Sequence, residues 1–177
     1  MNFRELVEKR YSVRGYENTP VSETTLRKLF ETVRMAPSAC NFQPWVFIVI
    51  SDAAVRAELL KSYGRDWFAE APVIIAAGYD RTISWKRFDG REYGIVDTAI
   101  AFDHLTLAAA EYGLGTCWIG AFKEDIVREI LKVPSNIDIV ALTPLGYPKA
   151  EKNDKQRKSP DQFVFRDFYG GNRMDFS

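Results

Sequence analysis

Three apolar runs, at 45–50, 72–77 and 137–142, constrain the fold more than any other feature of the chain. Continuous apolar runs of this length are typical of strands that are buried on both faces. Other segments carry apolar residues at helical spacing instead, as at Leu26 and Leu29. We therefore predict an α+β fold in which helices flank a central sheet on both sides.

Capping residues mark where the predicted helices begin. Ser22 is a good N-cap, and Val21 and Leu26 occupy the positions of a hydrophobic staple. Asp52 can cap a second helix that reaches Leu60. These signals predict two amphipathic helices, one before and one after the first strand.

One predicted helix differs from the others because it has no polar face. Residues 97–112 are apolar nearly all round, and Gly113 suits the left-handed position that follows a helix. Such a helix is buried on several sides, either inside the fold or in a subunit interface.

The remaining segments are less regular. Residues 79–94 predict a loop, residues 149–161 a polar and basic surface segment, and 116–119 and 163–165 two short strands. No repeat, low-complexity tract or linker divides the sequence. We therefore expect one domain over residues 1–177.

Composition excludes several classes of protein. Lys plus Arg and Asp plus Glu number 24 each, so no global positive charge attracts nucleic acid. No stretch reaches the roughly 20 apolar residues of a membrane span, and the N-terminus lacks the apolar region of a signal peptide. The two cysteines, Cys40 and Cys117, lie outside any CxxC motif. Free thiols favour a reducing, cytoplasmic location.

Several catalytic chemistries are also disfavoured. The single histidine, His104, lies in the apolar helix and is predicted to be a satisfied core or interface residue. A Ser-His-Asp relay or a zinc site would have to rest on it alone, so we predict no metal. No P-loop motif occurs, and the glycines of 113–120 follow a helix at a spacing that is not GxGxxG.

An anion site is the chemistry that remains. Arg10, Ser12 and Arg14 alternate, and residues at i, i+2 and i+4 of an extended segment share a face. Two guanidinium groups and a hydroxyl on one face match phosphate geometry. The alternative is that Arg10 complements a helix C-terminus and Arg14 is solvated. Lys155 and Arg157 repeat the pattern, with a solvated basic tail as their alternative.

The stretch 36–45 (APSACNFQPW) connects a helix to the first strand with small and amide side chains. Pro37 ends the helix because its ring clashes there and it has no N–H. Pro44 biases Gln43 toward an extended backbone. Such a loop can bring its backbone close to a flat ligand, although most loops of this kind only connect.

Five motifs, in this order, resemble the FMN-dependent nitroreductase family over nearly the whole chain. They are RYSVR at 10–14, APSACNFQPW at 36–45, GLGTCWIG at 113–120, GYP at 146–148 and KQR at 155–157. The resemblance implies an α+β flavoprotein with a mostly antiparallel sheet. It also implies an intertwined homodimer with two FMN sites at the subunit interface.

The resemblance also assigns roles in binding non-covalent FMN. One subunit would hold the phosphate and ribityl chain, and its partner would line the ring. The phosphate-side residues would be Arg10, Tyr11, Ser12, Arg14, Lys155 and Arg157. The ring-side residues of the partner would be Pro37, Ser38, Ala39 and Asn41. Ile119 and Gly120 would place backbone against the reactive edge of the flavin.

By the same resemblance, NAD(P)H reduces the flavin and leaves, and a small acceptor such as a nitro compound or quinone then takes its place, which gives ping-pong kinetics. Flavin carries the hydride chemistry, so no catalytic side chain is named. Two alternatives stay open: a specialised member such as a dehalogenase or flavin-fragmenting enzyme, and an FMN-binding protein without turnover. The loop 79–94 is short compared with larger family members, which leaves the acceptor open. The tail 168–176 departs from the usual ending of the family, and the sequence does not distinguish NADH from NADPH.

Overall fold

The computed structural model describes residues 1–150 and 155–174. These residues form six α-helices and four strands. In chain order the elements are α1 (Phe3–Lys9), α2 (Glu23–Val33), β1 (Trp45–Ile50), α3 (Ala53–Leu59), α4 (Asp66–Glu70), β2 (Val73–Asp80), α5 (Gly94–Glu111), β3 (Gly115–Thr116), α6 (Glu124–Leu131) and β4 (Ile137–Gly146), with 3₁₀ turns at Ala39–Asn41 and Pro160–Gln162.

The four strands form one sheet in the order β1-β2-β4-β3, and every neighbouring pair is antiparallel. Side chains of β2 alternate between two cores. Val73 and Ile75 pack with α2 and α5, whereas Ile74 and Ala76 pack with residues of α3, α4 and α6. The α+β fold with helices on both faces of an antiparallel sheet is confirmed.

The capping predictions are also confirmed. Ser22 Oγ accepts the N–H of Thr25 at 3.1 Å, and Asp52 Oδ1 accepts the N–H groups of Ala54 and Val55. Gly113 follows α5 with a φ of 74°, a conformation that suits a residue without a Cβ.

The predicted strand at 163–165 is wrong. Phe165 makes one isolated bridge, to Arg173, and no strand forms there. Pro160 starts a 3₁₀ turn, and positive φ at Asp167 and Gly170 folds the chain back on itself, so among the described residues the segment pairs through that one bridge alone. Residues 151–154 of the predicted surface segment and 175–176 of the tail lie outside the described residues.

Several elements differ from expectation, among them α4 and β3. The short helix α4 was not predicted, and the strand expected at 116–119 is reduced to β3 plus a single bridge between Ile119 and Leu142. Within the part of the chain that the structure describes, no helix is both long and apolar enough to cross a membrane.

Candidate functional site

The segment 10–14 leaves α1 and joins the edge of the sheet in extended conformation. Arg10 has φ −62° and ψ 131°, and the N–H of Val13 donates to the carbonyl of Thr116 at 2.9 Å. The Val13 side chain is buried, while Ser12 and Arg14 on either side of it are exposed. The segment therefore has the alternation that the sequence predicts, with Arg10, Ser12 and Arg14 on one face. We call these three residues the cationic cluster.

The three members of the cationic cluster lie within electrostatic range of one thiol. Burial raises the pKa of Cys117, while Arg14, a hydrogen bond with Ser12 and the charge of Arg10 oppose that shift. Both guanidinium groups and the Ser12 hydroxyl thus act on the same side chain. The cluster holds positive charge and a hydroxyl, a combination that suits a phosphate.

The late basic segment reaches the cluster through one of its two cations. Lys155 Nζ donates to the carbonyl of Arg10 and, at 3.3 Å, to that of Val7, and so it also caps the C-terminus of α1. Tyr11 donates its hydroxyl to the carbonyl of Ala150 at 2.6 Å. Arg157 is exposed, and its guanidinium donates to the adjacent Gln156 carbonyl rather than to the cluster.

The connector, residues 37–43, adopts a backbone that the sequence does not predict. Cys40, Asn41 and Gln43 have φ values of 50°, 57° and 49°. The expectation of an extended Gln43 is therefore wrong. Its N–H donates to Ser38 Oγ at 2.9 Å, and its amide donates to the backbone and side-chain oxygens of Asn41. These bonds close the loop, although each left-handed residue costs about 1 kcal/mol or more.

A buried carboxylate ties the connector to α5. Asp97 lies in the first turn of this helix and is 2% exposed, and its Oδ1 accepts the N–H of Ala39 at 2.9 Å. Pro37, Ser38, Ala39 and Asn41 are thus held at the N-terminal end of α5. Pro37 and Asn41 are exposed there, and the other two are half-buried.

Ile119 and Gly120 lie beside the middle of β4. Ile119 exchanges two backbone hydrogen bonds with Leu142, of 2.9 and 3.0 Å, and is buried. Gly120 is exposed, and a Cβ built there would meet only Trp118 Nε1 within 4 Å, at 3.9 Å. The backbone at Gly120 can therefore be approached closely by a ligand.

The cationic cluster and the connector lie far apart in one chain. Arg10 lines a small cavity with Ala110 and Gly113 at the C-terminal end of α5, whereas Ala39 is bonded to Asp97 at the other end. The rise of the helix between Asp97 and Ala110 is about 20 Å.

The sheet gives a second measure of the same separation. On the side of the cationic cluster, Thr116 bonds Val13 and is aligned through Leu145 with Val73, at one end of β2. On the side of the connector, Trp45 pairs with Tyr79, near the other end of β2. Six residues of strand span about 20 Å, and the two segments also lie at opposite edges of the sheet. One chain therefore does not bring the two sets of predicted residues together.

Sequence reasoning missed one group of residues at the cluster. Arg14 lines an open depression with Tyr63, Arg65, Asp66 and Trp67, in the turn that leads into α4. The signal in the sequence was a glycine and two charges between aromatic residues, but only the fold shows that this turn lies beside Arg14.

The remaining candidate, His104, is half-buried on α5, and its Nδ1 lies 3.0 Å from the carbonyl of Ile100. This position agrees with a satisfied histidine. Among the described residues, no group of three His, Cys, Asp or Glu side chains is placed to hold a metal ion.

Comparisons with known proteins identify the family. The sequence matches the model of the nitroreductase family at residues 7–67 and 60–147. An NADH dehydrogenase from Thermus thermophilus is 31% identical, with 88% of this chain and 91% of that protein covered. A nitroreductase family protein from Clostridium difficile, known from its crystal structure, is 32% identical with a TM-score of 0.88. The match covers 95% of this chain and 99% of that one.

A second structure from Clostridium difficile, described as an FMN-dependent nitroreductase, is 28% identical, with a TM-score of 0.77 and coverage of 92% of this chain and 98% of that one. The chain therefore belongs to the nitroreductase family, and it is an oxidoreductase. The resemblance drawn from its motifs is confirmed.

Proposed function

We propose that the protein binds FMN non-covalently and transfers hydride from NAD(P)H through the flavin to a nitro compound, a quinone or a similar acceptor, in ping-pong fashion. The observation that carries the proposal is the pair of half-sites at opposite ends of α5. One has the chemistry of a phosphate site, and the other that of a loop facing a flat ring. The similarity to a protein described as an FMN-dependent nitroreductase supports the choice of cofactor.

The cationic cluster fits the phosphate end of FMN. Arg10, Arg14 and Ser12 offer donors on one face, and a phosphate monoester offers acceptors with matching charge. Lys155 adds a third positive group beside Arg10. Arg157 and Tyr11 would complete this end, with Arg157 turning from Gln156 toward the phosphate.

The connector fits the ring end. Its side chains at Pro37, Ser38 and Ala39 are small, so the backbone can lie against a planar surface. Asn41 Oδ1 accepts from Gln43 at 3.1 Å, which orients the amide and leaves its N–H₂ group to donate to a ring heteroatom.

A homodimer would join the two half-sites. Helix α5 has half-exposed apolar side chains at Ile95 and Val96, which line an open apolar groove with Ile100 and His104. Helix α1 has no buried residue, and Phe3 on it is 72% exposed. Both surfaces need a partner to bury them.

Symmetry then places the half-sites. A two-fold axis perpendicular to α5 makes the two copies of this helix antiparallel, so the C-terminal end of one lies beside the N-terminal end of the other. The cluster of one chain would thus meet the connector of its partner, twice in each dimer. Each of the two sites would be complete only in the dimer.

The chain's own residues would bind and orient the reactants. When bound, FMN supplies the hydride chemistry. Arg10, Arg14 and Lys155 would hold its phosphate, and the backbone at Ile119 and Gly120 would lie against the reactive edge. No acid or base side chain is assigned to the hydride transfer. We further propose that residues 1–177 act as one FMN-binding domain in the cytoplasm.

The test is reconstitution of flavin-free protein. Added FMN should bind in a 1:1 ratio to chains, and heat precipitation should release it intact. NADH or NADPH should then bleach the flavin, and menadione or nitrofurazone should sustain oxidation of the reductant. A protein that takes up no FMN would refute the proposal, and bound FMN that only dithionite reduces would refute its catalytic part.

A further inference from the structure

The buried carboxylate of Asp97 is only partly satisfied by hydrogen bonds among the described residues. The side chain is 2% exposed, Oδ1 accepts one backbone N–H, and Oδ2 is buried without a hydrogen-bond partner among the described residues. Burying a carboxylate that is only partly hydrogen-bonded destabilises a protein. An apolar side chain at this position would avoid that cost, but it would leave the N–H of Ala39 without its acceptor.

The partner of Asp97 indicates what it serves. The one bond it makes to another segment is to Ala39, at the start of the turn where Cys40, Asn41 and Gln43 are left-handed. Three further bonds hold that turn, from the amides of Asn41, Phe42 and Gln43 to acceptors on Ser38 and Ala39. All three are internal to the loop. Among these bonds, only that to Asp97 fixes the strained turn relative to the body of the protein.

We propose that Asp97 is the positioning residue of the ring-side half of the flavin site, an inference that rests on the proposed function. Its carboxylate holds the Ala39 amide, and through it keeps the connector in the one conformation that presents Pro37 and Asn41 to the flavin ring. Asp97 itself touches no part of the ligand. Its effect on flavin binding is therefore exerted through the ring and does not depend on the phosphate.

The experiment compares Asp97→Asn with Asp97→Leu. Asparagine keeps an acceptor for the Ala39 N–H, whereas leucine has a similar volume and none. Glu111→Gln, an exposed residue at the other end of α5, is the control for removal of a negative charge. Far-UV circular dichroism and the melting temperature establish that each variant folds.

Two measurements decide the outcome. In flavin-free protein, hydrogen exchange of the peptide covering 38–43 should be faster in Asp97→Leu and unchanged in Asp97→Asn and Glu111→Gln. In reconstituted protein, Asp97→Leu should weaken FMN and riboflavin by the same factor, about tenfold or more, as expected for loss of a charge-assisted hydrogen bond. Asp97→Asn should restore most of that affinity.

Three results would overturn the proposal: unchanged exchange in Asp97→Leu, an affinity loss confined to FMN, or equal damage from asparagine and leucine. A wild-type protein that binds neither flavin would instead refute the proposed function. The two failures are thus told apart by whether the wild type or the variant departs from expectation.

Discussion

The cationic cluster and the connector are built in opposite ways. The cluster is an extended segment bonded to the edge of the sheet, and no residue of 10–14 has a positive φ. The connector has three left-handed residues that are not glycine, held by side-chain acceptors on Ser38 and Asp97. One half is thus relaxed and the other is strained.

The difference follows from what each half is proposed to recognise. A phosphate is bound by charge from long side chains, which adapt to its position while the backbone stays regular. A flat ring must be met by backbone and short side chains, so the backbone itself has to take the required shape. Strain of this kind persists only where surrounding contacts impose it.

The sharpest way to test the comparison is to break each half separately and then combine them. Arg10→Ala and Asn41→Ala should each lose most activity, about a hundredfold, because each removes one half of both sites in a homodimer. A heterodimer of the two variants has one site with both lesions and one that is intact. It should recover about half of wild-type activity by symmetry.

The heterodimer is purified with distinct tags on the two chains, and its composition is verified by mass. The control is a heterodimer of Arg10→Ala with Arg14→Ala, which places one lesion of the same half in each site and should stay inactive. If the Arg10→Ala/Asn41→Ala heterodimer is as inactive as this control, the half-sites do not come from different chains.

The affinities for FMN and riboflavin distinguish the cationic cluster from the connector, with a smaller expected effect than in the heterodimer test. Arg14→Ala should weaken FMN by about tenfold to hundredfold, since a charge-assisted hydrogen bond contributes roughly 1.5–3 kcal/mol. Riboflavin, which lacks the phosphate, should be affected far less. Asn41→Ala should weaken both ligands equally. Titration of the flavin fluorescence measures all four values, and an equal loss of both ligands in Arg14→Ala would assign Arg14 a structural role only.

The two halves were not equally predictable from sequence. The alternation of Arg10, Ser12 and Arg14 predicts one face because an extended strand has a period of two, and the apolar runs predict the sheet for the same local reason. The left-handed turn at Cys40 and Asn41 is bonded through Ala39 to Asp97, which is distant in sequence. Local preference before Pro44 favours an extended Gln43, and tertiary hydrogen bonds override it.

The same reasoning explains the other differences. The apolar segment 163–165 has strand propensity, but a strand needs a neighbour, and among the described residues this segment has only the bridge from Phe165 to Arg173. The depression formed by Tyr63, Arg65 and Arg14 joins residues that no spacing rule connects. Family motifs identify where flavin contacts are expected, whereas the separation of the half-sites along α5 emerges only from the structure.

Backbone strain in the connector gives a smaller effect that tests its origin. Cys40→Gly should stabilise the protein by about 0.5–1 kcal/mol, because glycine adopts a φ of 50° without steric cost. For a chain of this size the melting temperature should rise by about 1–4 °C. Flavin affinity should fall severalfold, because the free loop then samples more conformations.

Lys132 is the matched control, because it has a φ of 52° at the C-cap of α6, outside the proposed site. Lys132→Gly should stabilise the protein by a similar amount and leave flavin affinity unchanged. A similar loss of flavin affinity in both variants would contradict a special role for strain in the connector.

The smallest effect concerns the surface near the cluster. Glu70 pairs with Lys149 at 2.9 Å, and the N–H of Lys149 donates to the carbonyl of Gly15, directly after the cluster. The hydrogen bond from Lys149 lowers the pKa of Glu70.

A lowered pKa means that the pair stabilises the folded state above the unfolded-state pKa of about 4.3, and that this stability is lost as the pH falls through the folded-state value. Because the pair is exposed, Glu70→Gln should destabilise the protein at pH 7 by no more than about 0.5 kcal/mol. The difference from wild type in the free energy of unfolding by urea should shrink as the pH is lowered from 6 toward 3.

Glu58→Gln, which removes an exposed pair with Lys61 three residues along the chain, is the control for loss of a surface charge. A difference that grows as the pH falls would contradict the assigned ion pair, because protonated Glu70 and glutamine carry the same charge.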